Sequence, residues 1–328
     1  MKKKSILINR SFLIVLVLAV FALGIFADRL FLLITGQGDE LEGRSAGVFV
    51  PPGRELTQFR TKVNDLVKLA LASHDVTSVS VYFLYLKTDS GFGIREDERF
   101  APHNLLKLPV MIVYFKSAET SPEILQKKLS FNGRVMAGTP SRLKTPRPLE
   151  SGKTYTTSDL IYRMIVFNDD DALSLLTANL QQDALDKLYE DLDLEIDPSD
   201  EEDIMSLSTY SSFYRTLYDR SYLNRRMSDK ALQYLSKASF RDGIVAGTPP
   251  NVTVASRFGD FPVSENDEKG PADLIQLHEI GIVFHPSRPY LLGIITRGSD
   301  FTAQTRIIRD ISSFIYRDVD QPQRDRTH

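Results

Sequence analysis

Apolar residues recur at every third or fourth position in several segments, and this spacing predicts amphipathic helices. In the segment 55–71 it places Leu56, Phe59 and Val63 on one face. The same pattern predicts helices over 104–118, 122–129, 158–167, 170–180, 209–219, 228–238 and 301–316. An acid-rich interruption at 191–203 is typical of an exposed loop.

β-Branched and aromatic residues predict strands over 79–86, 92–94, 252–258, 280–284 and 290–296. Asp89-Ser90-Gly91 has the turn chemistry to join the first two strands as a hairpin. The predicted order is therefore helix, two strands, a helical insertion, three strands and a final helix. We expect an α/β fold of the α+β type: about five strands from both chain ends form one antiparallel sheet flanked by helices, with an inserted helical lobe at one side.

A long apolar segment lies near the amino terminus. Residues 12–27 are apolar or glycine, and after Asp28 and Arg29 apolar residues continue over 30–34. About 20 such residues span a bilayer core. The first ten residues carry four basic side chains and no acid, and basic segments stay on the cytoplasmic side of a membrane. We expect one span, with the bulk of the chain outside the cytoplasm.

Two interpretations of this segment remain open, a retained signal-anchor and a cleaved signal peptide. Ala22 and Gly24 could form a cleavage site, but bulky apolar residues continue beyond Gly24, which favours the anchor. The expected organisation is a short cytoplasmic basic segment at 1–11, a transmembrane signal-anchor at 12–35, a linker at 36–54, one domain at 55–318 and a polar tail at 319–328.

Composition excludes several kinds of site. The 328 residues include no cysteine, which rules out disulfides, thiolate metal sites and a cysteine nucleophile. The five histidines are scattered, and the acids at 169–171 read as one helix start rather than a converging cation site. The formal net charge is -3, so the chain lacks the surplus of Lys and Arg that binding to nucleic-acid phosphates requires. We expect no metal, no cofactor and no nucleic-acid partner.

Four stretches, by their order and spacing, carry a family resemblance. They are F-A-P-H-N-L-L-K-L-P at 100–109, M-I-V-F-N-D-D-D-A at 164–172, V-A-S-R-F-G at 254–259 and E-I-G-I-V at 279–283. Together they resemble the class A β-lactamase and penicillin-binding-protein superfamily of serine acyl-transferases. The resemblance extends from about residue 56 to 316 and implies a β-lactamase-like fold.

Members of that superfamily use three motifs, S-x-x-K, S-D-N and K-T-G. In the first motif, the resemblance places Asn104 at the nucleophilic serine and Lys107 at the lysine one helical turn later. A carboxamide nitrogen is not a usable nucleophile, and no serine lies anywhere in 100–115. The acyl-enzyme that the resemblance implies therefore has no evident attachment atom.

The other two motifs also depart from the family pattern. The second reads Asn168-Asp169-Asp170, which lacks the shuttle hydroxyl and has an aspartate where the family has a substrate-binding asparagine. The third reads Arg257-Phe258-Gly259, so a guanidinium replaces the ammonium and a phenyl ring replaces the hydroxyl. We expect Phe258 to protrude into the cleft. The candidate ligand-binding residues are Lys107, Asp170, Arg257 and Phe258.

Each of these residues also has an ordinary structural interpretation. Lys107 could be an ion-pair remnant, because a buried ammonium needs a partner such as Asp169 or Asp170. The segment 168–171 could be a helix N-cap with acids in its first turn. Arg257 could bind a ligand carboxylate or form a salt bridge across the strands.

Two further family roles have only weak candidates. A deacylating glutamate would lie on the acidic loop, at Glu195, Glu201 or Glu202, but none sits in the family's local pattern. His103 adjoins Asn104, yet no serine or acid is arranged around it, and lone histidines are usually structural.

Three functions stay open. We expect first a membrane-anchored exported domain that does not form an acyl-enzyme and binds a cell-wall peptide, a glycan or an envelope protein. The alternatives are a working β-lactamase or D-alanyl-peptidase with displaced catalytic groups, and a purely structural envelope protein whose cleft is filled by Arg257 and Phe258. Function has to be decided from the site, because the fold alone does not fix it.

Overall fold

The computed structural model describes residues 54–100, 103–133, 145–181, 183–194, 205–263 and 274–321. The predicted basic segment and signal-anchor, all but the last residue of the predicted linker, and the end of the polar tail lie outside these residues. Within the described ranges, no helix combines the length and the apolar character needed to cross a membrane.

One antiparallel sheet forms the centre of the domain and combines strands from both ends of the chain. Its strands are β1 (Ser78–Tyr85), β2 (Gly91–Ile94), β7 (Val254–Val263), β8 (Leu274–Val283) and β9 (Tyr290–Gly298). They lie in the order β2-β1-β9-β8-β7, so β1 pairs with β9 and joins the two ends. The prediction of a five-stranded antiparallel sheet is confirmed, as is the hairpin of β1 with β2.

The described residues also contain eight α-helices and four short strands. The helices are α1 (Arg54–Ala72), α2 (Lys107–Thr120), α3 (Thr157–Val166), α4 (Asp170–Thr177), α5 (Ala184–Asp191), α6 (Leu207–Asp219), α7 (Arg225–Leu235) and α8 (Phe301–Asp320). The short strands are β3 (Arg99–Phe100) paired with β6 (Met205–Ser206), and β4 (Lys128–Ser130) paired with β5 (Thr154–Thr156).

Two apolar clusters cover the two faces of the sheet. Helices α1 and α8 bury residues such as Val63, Ile308 and Ile315 against one face. Helices of the inserted lobe bury residues such as Met111 and Tyr210 on the other side. Every residue of β8 is buried, because side chains on both of its faces are covered by helices.

The structure corrects two local predictions. The segment 122–129 is not an α-helix: Pro122–Gln126 forms a 3-10 helix, and the chain then extends into β4. Strand β8 begins at Leu274, well before the predicted start at 280, because Gln276 and His278 hide its buried character in the sequence. Helix α5 was not predicted.

Candidate functional site

The first motif lies at the start of α2, next to the edge strand β7. Residues His103–Leu106 form a 3-10 turn that contacts β7, and Lys107 is the first residue of α2. The hydroxyl of Tyr210 in α6 donates a hydrogen bond to the carbonyl of Leu105 at 2.8 Å, which holds this turn against the helical lobe. The backbone of Asn104 therefore lies in this turn; its side chain is outside the described set.

Lys107 is completely buried, and its ammonium is held by groups of the second motif. Nζ donates to the backbone carbonyl of Asn168 at 3.0 Å, to Asn168 Oδ1 at 2.7 Å and to Asp170 Oδ1 at 2.5 Å. An ammonium has three N–H donors, and these contacts direct it to Asn168 and Asp170 of the second motif. The side-chain nitrogen of Lys107 is thus buried and held by the second motif.

Arg257 brings a second cation to the same amide. It lies in β7, is almost fully buried, and donates to the carbonyl of Ile165 at 2.9 Å and to Asn168 Oδ1. Asn168 Oδ1 therefore accepts hydrogen bonds from a lysine and an arginine at once. Burial lowers the pKa of Arg257, with the hydroxyls of Tyr210 and Tyr214 and the carboxylate of Asp170 acting in the opposite direction.

The environment of Lys107 favours the neutral amine. Burial, reinforced by the positive charge of Arg257, lowers the pKa of Lys107 to about 7, although Asp170 opposes this shift. Asp170 compensates only in part because its side chain is 49% exposed and its charge is screened by water. The amine can therefore change its protonation state near neutral pH.

The backbone of the second motif is shaped by its residue types. Asn168 has a φ of 57°, a left-handed conformation that asparagine adopts more readily than most residues. Asp169 caps α4, because its Oδ1 accepts a hydrogen bond from the backbone N–H of Ala172 at 3.0 Å. Its carboxyl is buried, and burial raises its pKa. The N-cap interpretation of this segment is therefore correct, and it coexists with the contacts to Lys107.

Phe258 does not belong to this cluster, and the expectation that it protrudes into the cleft is wrong. Its side chain is 3% exposed and stacks on Phe240 with ring centroids 3.8 Å apart. Alternate residues of a strand point to opposite faces, so Phe258 enters the core beside α8 while Arg257 points to the helical lobe. The interpretation in which Arg257 and Phe258 both fill the cleft is therefore wrong for Phe258.

A buried carboxyl near this strand was not recognised as important from the sequence. Glu279 in β8 is fully buried and accepts hydrogen bonds from the backbone N–H of Ile244 at 2.7 Å and from Ser256 Oγ at 2.8 Å. A Cβ at Gly243 would meet Glu279 Oε2 at 2.1 Å, so the close approach requires glycine. Burial raises the pKa of Glu279 to about 7. A charged residue inside an apolar strand was the available signal.

The structure thus brings together Lys107, Asn168, Asp170 and Arg257 and separates Phe258 from them. Glu195, Glu201 and Glu202 lie outside the described residues. In the described part of the chain, no group of three or more His, Asp or Glu side chains could hold a metal ion.

Comparison with known proteins identifies the family and the fold. The model of the β-lactamase enzyme family matches residues 58–319. The penicillin-binding protein PBP-A superimposes with a TM-score of 0.67 at 18% identity, over 83% of this chain and 99% of the other. No match is found among curated protein sequences.

Two bacterial β-lactamases share the same fold. The enzyme of Sphaerobacter thermophilus gives a TM-score of 0.66 at 17% identity, covering 80% of this chain and 98% of the other. The class A enzyme of Mycobacterium abscessus gives 0.65 at 16% identity, covering 79% and 100%. At these identities the likeness concerns the fold, whereas the family match rests on the sequence. The chain belongs to the β-lactamase enzyme family.

Proposed function

We propose that this protein is an exported, membrane-anchored member of the family that does not form an acyl-enzyme and serves as a binding domain in the cell envelope. The observation that carries the proposal is the coordination of Lys107. In an S-x-x-K site the lysine assists a serine hydroxyl, whereas here the motif supplies Asn104 and the ammonium is held by Asn168 and Asp170.

The substitution of Asn168 supports the same conclusion. A serine hydroxyl at this position could accept and return a proton, but a carboxamide oxygen only accepts hydrogen bonds. Asn168 Oδ1 links Lys107 to Arg257, so the residue connects two cations instead of conducting protons. The cluster is better suited to holding the fold and presenting Asp170 than to acyl transfer.

The amino-terminal pattern supports export and anchoring. A basic start, an apolar segment long enough to span a bilayer and a polar stretch before α1 are typical of a signal-anchor. In untreated cells the protein should fractionate with the membrane. Protease added to intact spheroplasts should digest its domain. Release into the medium would instead indicate a cleaved signal peptide.

A ligand would have to approach through Asp170, because Lys107, Asn168 and Arg257 are buried while Asp170 is half-exposed. We expect the full-length protein to co-sediment with purified peptidoglycan and Asp170→Asn to weaken this binding. Asp171→Asn is the matched control, since it removes the next carboxylate and no described contact to Lys107. If all three proteins sediment no more with peptidoglycan than without it, the binding role is refuted.

A working hydrolase is the second candidate, because the lowered pKa of Lys107 is a property that a general base needs. The two functions are separated by turnover of a chromogenic cephalosporin and of a D-alanyl-D-alanine peptide. We expect the unsubstituted protein to turn over both substrates no faster than Lys107→Ala does. A rate that depends on Lys107 would replace our proposal with the enzymatic one.

A further inference from the structure

The side chains of Lys107 and Asn168 place an amine against a carboxamide in the buried centre of the domain. Nζ lies 2.7 Å from Asn168 Oδ1, and the carboxamide carbon is bonded directly to that oxygen. Lys107 is fully buried and Asn168 is 5% exposed, so water has little access to the pair. An amine and a carboxamide can exchange to form a new amide and ammonia, provided that both are activated.

Arg257 activates the carboxamide. Its guanidinium donates a hydrogen bond to Asn168 Oδ1, the oxygen on which negative charge develops when a nucleophile adds to the carbon. A fixed cation at this position polarises the carbonyl and stabilises the tetrahedral intermediate. In a buried site that stabilisation is much stronger than it would be in water.

Asp170 and the burial of the amine activate the nucleophile. Asp170 Oδ1 lies 2.5 Å from Nζ, which is within range for direct proton transfer. Burial and the charge of Arg257 lower the pKa of Lys107 to about 7, so the neutral amine is accessible near neutral pH. The half-exposed carboxyl can then return the proton to the leaving nitrogen.

We propose that Lys107 and Asn168 form an intramolecular isopeptide bond. Nζ adds to Cγ of Asn168 and gives a proton to Asp170, while Arg257 holds the oxyanion. The bond between Cγ and Nδ2 then breaks, Asp170 returns the proton to Nδ2, and ammonia leaves. The reaction joins two residues 61 positions apart without any oxidant or reductant.

The bond would tie the start of α2 to the loop that precedes α4. It would also replace a buried ammonium, which lies close to the guanidinium of Arg257, with a neutral amide, and so remove a costly charge from the interior. This inference does not depend on the proposed binding role, because the cross-link can exist whether or not the protein binds peptidoglycan.

The test is the mass of the full-length protein and of its tryptic peptides. We expect an intact mass lower than the sequence mass by one ammonia, and a branched peptide in which Lys107 is uncleaved and linked to the peptide containing Asn168. Lys107→Arg and Asp170→Asn should each have the full mass calculated from the variant's own sequence. Asp171→Asn should still be lighter than its sequence mass by one ammonia. Circular dichroism confirms that each variant is folded.

Peptide mapping of the unsubstituted protein decides the matter even if a variant fails to fold. A succinimide at Asn168 also loses one ammonia, but it leaves Lys107 accessible to trypsin and persists in Lys107→Arg. Either of these results, or an intact mass equal to that of the sequence, would overturn the proposal.

Discussion

At the scale of single residues, Asn168 determines what the site can do. Its carboxamide oxygen is shared by Lys107 and Arg257, and its left-handed backbone directs the chain into the cap of α4. Lys107, one helical turn after residue 104, is already bound by Asn168 and Asp170. Restoring the missing nucleophile is therefore not the same as restoring the enzyme.

This reasoning predicts the behaviour of Asn104→Ser. We expect the single substitution to give little labelling by a fluorescent penicillin, because Asn168 and Asp170 still engage the side-chain nitrogen of Lys107. Asn104→Ser combined with Asn168→Ser should label more, since it frees the amine and restores the shuttle hydroxyl. Complete labelling of the single variant would mean that Lys107 is available without further change.

At the scale of elements, Glu279 links the turn before β7 to the sheet. It joins the backbone of Ile244 to Ser256 of β7, one residue before Arg257. Burial raises the pKa of this carboxyl, and the hydrogen bonds from Ile244 and Ser256 and the charge of Arg241 oppose that shift. Because burial dominates, Glu279 binds a proton more tightly in the folded state than in the unfolded chain, where the pKa of its carboxyl is the ordinary 4.5.

The free energy of unfolding should therefore depend on pH through Glu279. Its contribution is fully present below pH 4.5 and is lost as the pH rises through about 7, since only the unfolded state ionises in between. The loss is of the order of 3 kcal/mol. Urea unfolding of the parent and of Glu279→Gln between pH 4.5 and 8 measures it. The variant should lose this part of the slope, and identical slopes would contradict the role.

At the scale of the whole molecule, one sheet supports two apolar clusters. Phe258 belongs to the cluster under α8, and Met111 belongs to the cluster of the helical lobe. Strands β7, β8 and β9 carry side chains into both clusters. Neither face should therefore unfold while the other persists.

Phe258→Ala and Met111→Ala should each lower the free energy of unfolding by about 3–5 and 2–5 kcal/mol respectively, through the cavity each leaves. Both should shift a single transition, seen alike by circular dichroism and by tyrosine fluorescence. Leu69→Ala is the control: Leu69 is 68% exposed, so we expect a change within about 0.5 kcal/mol. Two separated transitions would show that the clusters unfold independently.

The local pattern of apolar, β-branched and aromatic residues was enough to predict the five main strands and most helices, because α1, α8 and the strands each present continuous buried faces. It could not place Phe258, since the face on which a strand residue lies depends on the pairing register of β7 with β8. It also gave no warning that Asn168 bridges Lys107 and Arg257, a contact between residues 61 and 89 positions apart. Long-range polar contacts leave no local pattern in a sequence.

The most direct test of the central claim is the intact mass of the unsubstituted full-length protein before and after incubation with penicillin G. Our account predicts identical masses, because residue 104 offers no hydroxyl and Lys107 is bound by Asn168 and Asp170. A mass increase equal to the antibiotic, absent from Lys107→Ala, would contradict it and would identify a working acyl-transferase.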